Sequence, residues 1–219
     1  MAMPTQQTLP RKFIIQMSGA PGSGKSTVAG LIGRSTGAVV IDHDRLRSAL
    51  IAPEPNPDGV MRALPFEQAA RLAYGLQWDL VRDLAQRQGH SVVVDSTCNF
   101  REVLDRGSSC AARSQHGHAY WYVECRVPVG DIDLLDRRLR AREHPMPSQR
   151  TAVDRPPRAA GCDADGDGGD GTGGEDQRVV FRKWMTDPCR PEEEDNVIIL
   201  DSTAHPEKLR DQVLARILG

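Results

Sequence analysis

No stretch of this 219-residue chain approaches the ~18 consecutive apolar residues that a bilayer-spanning helix needs, so no membrane segment is expected. Met1 to Pro10 is polar and leads into no hydrophobic segment, which is the wrong pattern for a secretory signal; these ten residues are expected to be disordered. No Asn-x-Ser/Thr acceptor triplet occurs. The five cysteines (Cys98, Cys110, Cys125, Cys162, Cys189) are odd in number and never spaced C-x-x-C. That is the usage of free thiols in a reducing compartment, and the cytoplasm is the expected location. An excess of either charge is missing too. The 28 basic residues against 30 acidic ones leave a net charge of −2, which excludes a general attraction to nucleic acid or anionic lipid.

Apolar content, 39%, is slightly low, and the shortfall is concentrated in one Gly/Asp-rich stretch. The rest suffices for the core of one α/β domain over residues 11–219. Five short continuous apolar runs predict buried parallel strands: Phe13–Met17, Ala38–Ile41, Ser91–Val94, Ala119–Val123 and Val197–Leu200. Helical patterns alternate with them: Lys25–Ser35, Pro65–Gln88, Arg101–Ser114, Asp131–Glu143 and Pro206–Leu218. In the longest, Ala69, Leu72, Ala73, Leu76, Leu80 and Leu84 form the expected buried stripe. Strands alternating with helices predict a doubly wound sheet with right-handed crossovers.

Two segments break the rhythm. Ala52–Pro57 (APEPNP) is a proline-rich loop in the first crossover. Residues 145–177, with the run GCDADGDGGDGTGGED, cannot bury enough apolar surface to order and read as a flexible insertion. Asp163, Asp165 and Asp167 resemble the start of a calcium loop, but its twelfth position is Gly174 where a bidentate Glu is needed, so a solvated linker is the better reading.

The strongest signal follows the first strand. Gly19-Ala20-Pro21-Gly22-Ser23-Gly24-Lys25-Ser26-Thr27 satisfies G-x-x-x-x-G-K-[ST] and opens a helix, the setting that gives this motif meaning. Its glycines let backbone N–H groups turn inward on phosphates, and the helix N-terminus adds partial positive charge. Lys25 is placed to reach the β- and γ-phosphates and Ser26 to ligate magnesium. ATP with Mg2+ is the expected ligand.

The second strand ends in Asp42-His43-Asp44-Arg45-Leu46-Arg47, on the edge where doubly wound sheets hold ligands. One carboxylate there can hold a magnesium-bound water while the other takes a proton from an attacking hydroxyl. In phosphoryl transfer positioning matters more than basicity. The competing reading is that an Asp only caps the next helix. Arg47 can neutralise charge on the transferring group or the acceptor, and His43 is expected to pack or face solvent. Val92–Asp95 is an apolar strand ending in an acid, which beside a phosphate cradle orders magnesium. Asn99 caps the next helix or touches the acceptor.

Asp131–Glu143 carries Arg137, Arg138, Arg140 and Arg142, with Ile132, Leu135 and Leu139 as its buried stripe. Arginine supplies bidentate phosphate contacts, so at least one is expected to act from a closing lid; salt bridges to Asp131, Asp133, Asp136, Glu124 and Glu143 are the alternative.

GAPGSGKST, IDHDRLR, VVVDSTCN and an R-L-x-x-R helix together resemble the small P-loop kinases: the kinase module of phage polynucleotide kinase, and the zeta-toxin, chloramphenicol phosphotransferase, gluconate kinase and shikimate kinase groups. The resemblance covers the chain except its first ten residues and 145–177. It implies a P-loop three-layer sandwich with five parallel strands in order 2-3-1-4-5 and a helical lid. It also implies Asp44 as general base, Arg47 as an acceptor contact, Arg138 or Arg142 as the lid arginine, and Asp42 as the magnesium-side acid. Asp201-Ser202-Thr203 falls where such kinases border the adenine. The reading that follows is transfer of the γ-phosphate of ATP to a hydroxyl of a small molecule. Its rivals are a polynucleotide 5′-hydroxyl kinase using Arg45, Arg47, Arg101 and the lid arginines, an ATPase or switch without an acceptor, and a kinase that only binds nucleotide.

Overall fold

The computed structural model describes residues 11–53, 63–98, 100–128, 132–142, 146–148, 188–192 and 196–219. Expectations for Met1–Pro10, most of the Pro-rich loop, Asn99, Asp131, Glu143 and nearly all of 145–177 fall outside them.

Five strands form one parallel sheet: β1 (Phe13–Ser18), β2 (Val39–Asp42), β3 (Val92–Asp95), β4 (Ala119–Arg126) and β5 (Val197–Asp201), in the order β2-β3-β1-β4-β5. Each expected strand is present, most running one residue further at the C-terminal end. Among the described residues six helices flank the sheet: α1 (Lys25–Thr36), α2 (His43–Ile51), α3 (Phe66–Arg82), α4 (Arg101–Ala112), α5 (Ile132–Arg140) and α6 (Pro206–Leu218). On β1 the alternation sorts the core: Phe13, Ile15 and Met17 pack under α1 and α6, while Ile14 packs under α3 and α4. Among the described residues no helix is long and apolar enough to cross a membrane.

The stripe expected on the long helix is corrected. Leu72, Leu76 and Leu80 are 51%, 45% and 42% exposed, and the buried line is Ala69, Ala73, Gln77, Trp78 and Val81. Small residues let α3 lie close to α2 and β2, where leucines would hold it off. The helix also does not run evenly to Gln88. A π-helical turn at Asp83–Arg87 shifts the register, so Ala85 is buried and Leu84 packs against the core beside it.

One buried polar group fixes α4 against the sheet. Gln16, fully buried on β1, donates through Nε2 to the Val103 carbonyl at 2.8 Å and accepts from the Tyr120 hydroxyl at 2.8 Å. Gly107 of α4 passes directly over this amide, where a Cβ would collide with Gln16 Oε1.

Candidate active site

The sheet order places three strand ends side by side. β1 continues into the Gly19–Thr27 loop, and its neighbour β3 ends in Asp95, which is in register with Asp42 of β2. Motif and acids therefore converge on one edge.

Backbone sterics explain the loop's glycines. Gly19, Gly22 and Gly24 have φ of 136°, 83° and 86°, where side chains are strained. A Cβ on Gly19 would stand 2.5 Å from the Cys125 carbonyl oxygen, and one on Gly22 2.7 Å from that of Leu135. The loop is thus wedged between the end of β4 and α5. Gly24 caps α1 with no side-chain hydrogen bond, so the first-turn N–H groups of α1 are left for a ligand. Lys25 is buried there, whereas Ser26 and Thr27 are exposed.

Asp95 is buried, and its Oδ1 has no hydrogen-bond partner among the described residues. Burial pushes its carboxyl up to about 6, opposed by the charge of Lys25 and reinforced by that of Asp42. Asp42 is raised by burial too, although it caps α2 by accepting from the N–H groups of Asp44 (2.8 Å) and Arg45 (3.2 Å). The capping reading of Asp42 is therefore realised through Oδ1, its Oδ2 stands 3.6 Å from Arg45 Nε, and the residue still lines the cavity at this edge. A buried, unpartnered carboxylate oxygen beside a lysine and a second acid fits a hydrated cation. Among the described residues no three His, Cys, Asp or Glu side chains cluster into a metal site of their own, so an ion here needs hydroxyl, water and phosphate oxygens. Magnesium in phosphate sites binds in that way.

Facing this edge is a cavity of about 710 Å3 that contains Lys25, Asp42, Asp44, Arg47, Asp95 and Arg142. Its walls come from α3 (Phe66, Arg71, Tyr74, Trp78), from the start of α4 (Glu102, Arg106) and from Ser148. Asp44, half-buried on the first turn of α2, accepts from Arg47 Nη2 at 2.6 Å. Arg47 lies over the Phe66 ring, 4.8 Å from its centroid, and also donates to the Ser148 carbonyl at 3.2 Å. His43 packs, as expected: its ring stacks on Tyr74 at 4.0 Å, and burial, assisted by Arg47, depresses its pKa to about 4.

Ser148, near the start of the segment read as a flexible insertion, is docked on the domain. It is fully buried. Its N–H donates to Ser48 Oγ (3.2 Å), Ser48 donates back to Ser148 Oγ (2.7 Å), and Ser148 Oγ donates to the Asp44 carbonyl (2.9 Å). A single serine in a polar stretch carries no sequence signal for such a clasp. Also missed were Arg71 and Arg106, which read as ordinary charged positions of amphipathic helices.

The two candidate lid arginines separate. Arg142 lines the cavity, while Arg138 donates to the Ser202 carbonyl at 2.9 Å, in the turn after β5. Leu135 and Leu139 are buried as expected. Among the described residues Glu124 pairs with Arg190 and Arg126 rather than with this helix. Arg190 binds the carboxylate bidentately (2.6 and 3.1 Å) and Arg126 at 2.9 Å. Burial alone would raise the Glu124 pKa, but these hydrogen bonds outweigh it and hold the carboxyl low. Arg45 and Arg101 are not turned to the cavity as a phosphate path: Arg45 pairs with Asp42, and Arg101 with Asp105 and Glu192.

A protein-family model described as an AAA domain matches residues 14–156, from the first strand through the lid helix. The chain belongs to this family. No curated protein matches it. As an AAA domain it shares its fold with several solved kinases. A sugar kinase from Janibacter sp. HTCC2649 is 16% identical, with 95% of each chain covered and a TM-score of 0.55. A gluconokinase from Sinorhizobium meliloti is 18% identical, covering 95% of this chain and 93% of that one, with a TM-score of 0.51. The APS kinase of Mycobacterium tuberculosis, solved with AMPPNP and APS, is 21% identical, covering 96% and 100%, with a TM-score of 0.53. The AAA domain thus has the P-loop α/β fold with strand order 2-3-1-4-5.

Proposed function

We propose that this AAA domain is a cytoplasmic kinase that transfers the γ-phosphate of ATP, with Mg2+, to a hydroxyl of a small molecule. The observation that carries the reading is Asp44. It lines a cavity at the mouth of the phosphate cradle, with its half-buried carboxylate held by an arginine. A protein that only hydrolyses or only binds nucleotide needs no such walled space beside the γ-phosphate position.

In this reading the backbone of Gly19–Thr27 and Lys25 bind the triphosphate. Ser26 ligates magnesium, with Asp95 and Asp42 as water-side acceptors; the ion would neutralise charge on the β- and γ-phosphate oxygens. Asp44 takes the proton of the attacking hydroxyl, and Arg47 fixes the Asp44 carboxylate and meets the acceptor. Arg142 covers the transferring group, and Arg138 holds the turn at Ser202 on the nucleoside side. Phe66, Tyr74 and Leu139 exclude water, which suppresses hydrolysis.

The test is incubation with γ-labelled ATP, magnesium and a panel of sugars, nucleosides, antibiotics and 5′-hydroxyl oligonucleotides. Label is expected in one small-molecule class. Label found only in free phosphate overturns the reading, and label in oligonucleotides replaces it with the polynucleotide one.

A further inference from the structure

The cavity beside Asp44 does not end at α3. A second hollow of about 470 Å3 lies between α3 and α4, and Gly75, Trp78 and Arg106 line both spaces. Gly75 is the saddle between them. A Cβ there would meet nothing within 4 Å, so the helix keeps its lowest ridge where the two hollows join.

Charge is unevenly matched along this path. Asp79 and Asp105, the acids of the second hollow, are paired with Arg82 and Arg101. Arg71, Arg106 and Arg113 form no ion pair among the described residues. Glu67 and Glu102 stand one turn before Arg71 and Arg106 in the first hollow, so the surplus of positive charge lies toward the second. The aromatic surfaces are also divided. Phe66 is covered by Arg47 and Tyr74 by His43, whereas Phe100, on the rim of the first hollow, is 58% exposed.

We infer that the acceptor is a small molecule carrying one anionic group, a carboxylate, sulfate or phosphate, at the end opposite its reacting hydroxyl. That group lies across the Gly75 saddle against Arg106 and Arg113, and an apolar or flat middle section rests by Phe100. Glu67 and Glu102 repel a chain of many phosphates, which favours a compact anion over nucleic acid. Only the placement of the hydroxyl rests on the kinase reading.

The experiment uses the full chain saturated with Mg2+ and a non-hydrolysable ATP analogue, so that the phosphate cradle is filled. It is titrated calorimetrically with 1-naphthoate, 1-naphthyl sulfate, 1-naphthyl phosphate and neutral 1-naphthol. At least one anion is expected to bind tenfold or more tightly than the naphthol. Arg106→Gln should lower that affinity about tenfold, the loss of one charge-assisted contact. Gly75→Phe should abolish the preference, with affinity for the ATP analogue unchanged in both variants. Absence of any anion preference, or a preference that survives both substitutions, overturns the inference. Label transfer to a neutral acceptor, unaffected by Arg106→Gln, would keep the kinase and discard the anion site. Anion preference without transfer to any acceptor would do the reverse.

Discussion

The phosphate cradle and the proposed acceptor cavity meet at one sheet edge but are built on different principles. The cradle is a backbone device. Nine consecutive residues set it, and the neighbours that confine it at Gly19 and Gly22 are carbonyl oxygens of Cys125 and Leu135. The cavity is a side-chain device assembled from β2, α2, α3, α4, α5 and the Ser148 clasp, with Asp44, the proposed base, held through Arg47. A backbone device tolerates almost no change of residue at its glycines. A side-chain device can be retuned wall by wall while the chemistry beside it stays in place.

The widest gap between the two should come from Asp44→Asn. Phosphoryl transfer is expected to fall about 10²–10⁴-fold, the range for loss of a general base, with ATP affinity unchanged by equilibrium titration. Equal loss of both would erase the division. Asp95→Asn sharpens it on the other side. With a folded pKa raised to about 6, Asp95 contributes stability below its unfolded value near 3.8 that is lost as pH rises through about 6. His43, depressed to about 4, works oppositely: its contribution is present above 6.5 and lost as pH falls toward 4. The Asn variant should therefore gain at most about 3 kcal/mol at pH 7 without nucleotide, and lose stability more steeply than wild type on acidification. Thermal melts from pH 4 to 7.5 decide this, and a variant melting below wild type at pH 7 contradicts it.

A matched pair of glycine changes comes next. Gly22→Ala should cost about 1–3 kcal/mol from backbone strain, before its clash with the Leu135 carbonyl is counted. Gly75→Ala, helical and in open space, should gain about 0.5–1 kcal/mol. Chemical denaturation of both tests the contrast directly. Ser148→Ala removes one buried hydroxyl from the clasp, at a cost of about 1–2 kcal/mol. It should raise KM for the acceptor and leave that for ATP alone. The smallest effect is Leu76→Gln, within about 0.5 kcal/mol, because the side chain is nearly half exposed.

What could be read from the sequence follows the same division. Gly19–Thr27 is contiguous, and its chemistry is fixed by residue type and spacing, so the cradle and the strand-end acids were legible, while the sheet order came from the resemblance to the small P-loop kinases. The lid was legible as an arginine helix, but not which arginine lines the cavity. Arg138 and Arg142 share a helical face, and only the position of the Ser202 turn separates them. The leucines of α3 misled because periodicity counts apolar residues without knowing the partner surface. Against α2 and β2 the close-packing face is made of alanine, glutamine, tryptophan and valine. Arg71, Arg106 and Ser148 gave no signal, since their meaning arises from juxtaposition across 30 or more intervening residues.

The Ser48–Ser148 clasp has a mechanical consequence. Five residues lie between Arg142 and Ser148, so the contour between the lid and its anchor is about 20 Å when fully drawn out. The anchor is the helix that carries Asp44. Any swing of the lid is therefore leashed to the helix of the proposed base, and a stroke longer than the leash must either open the clasp or drag the first turn of α2 with it.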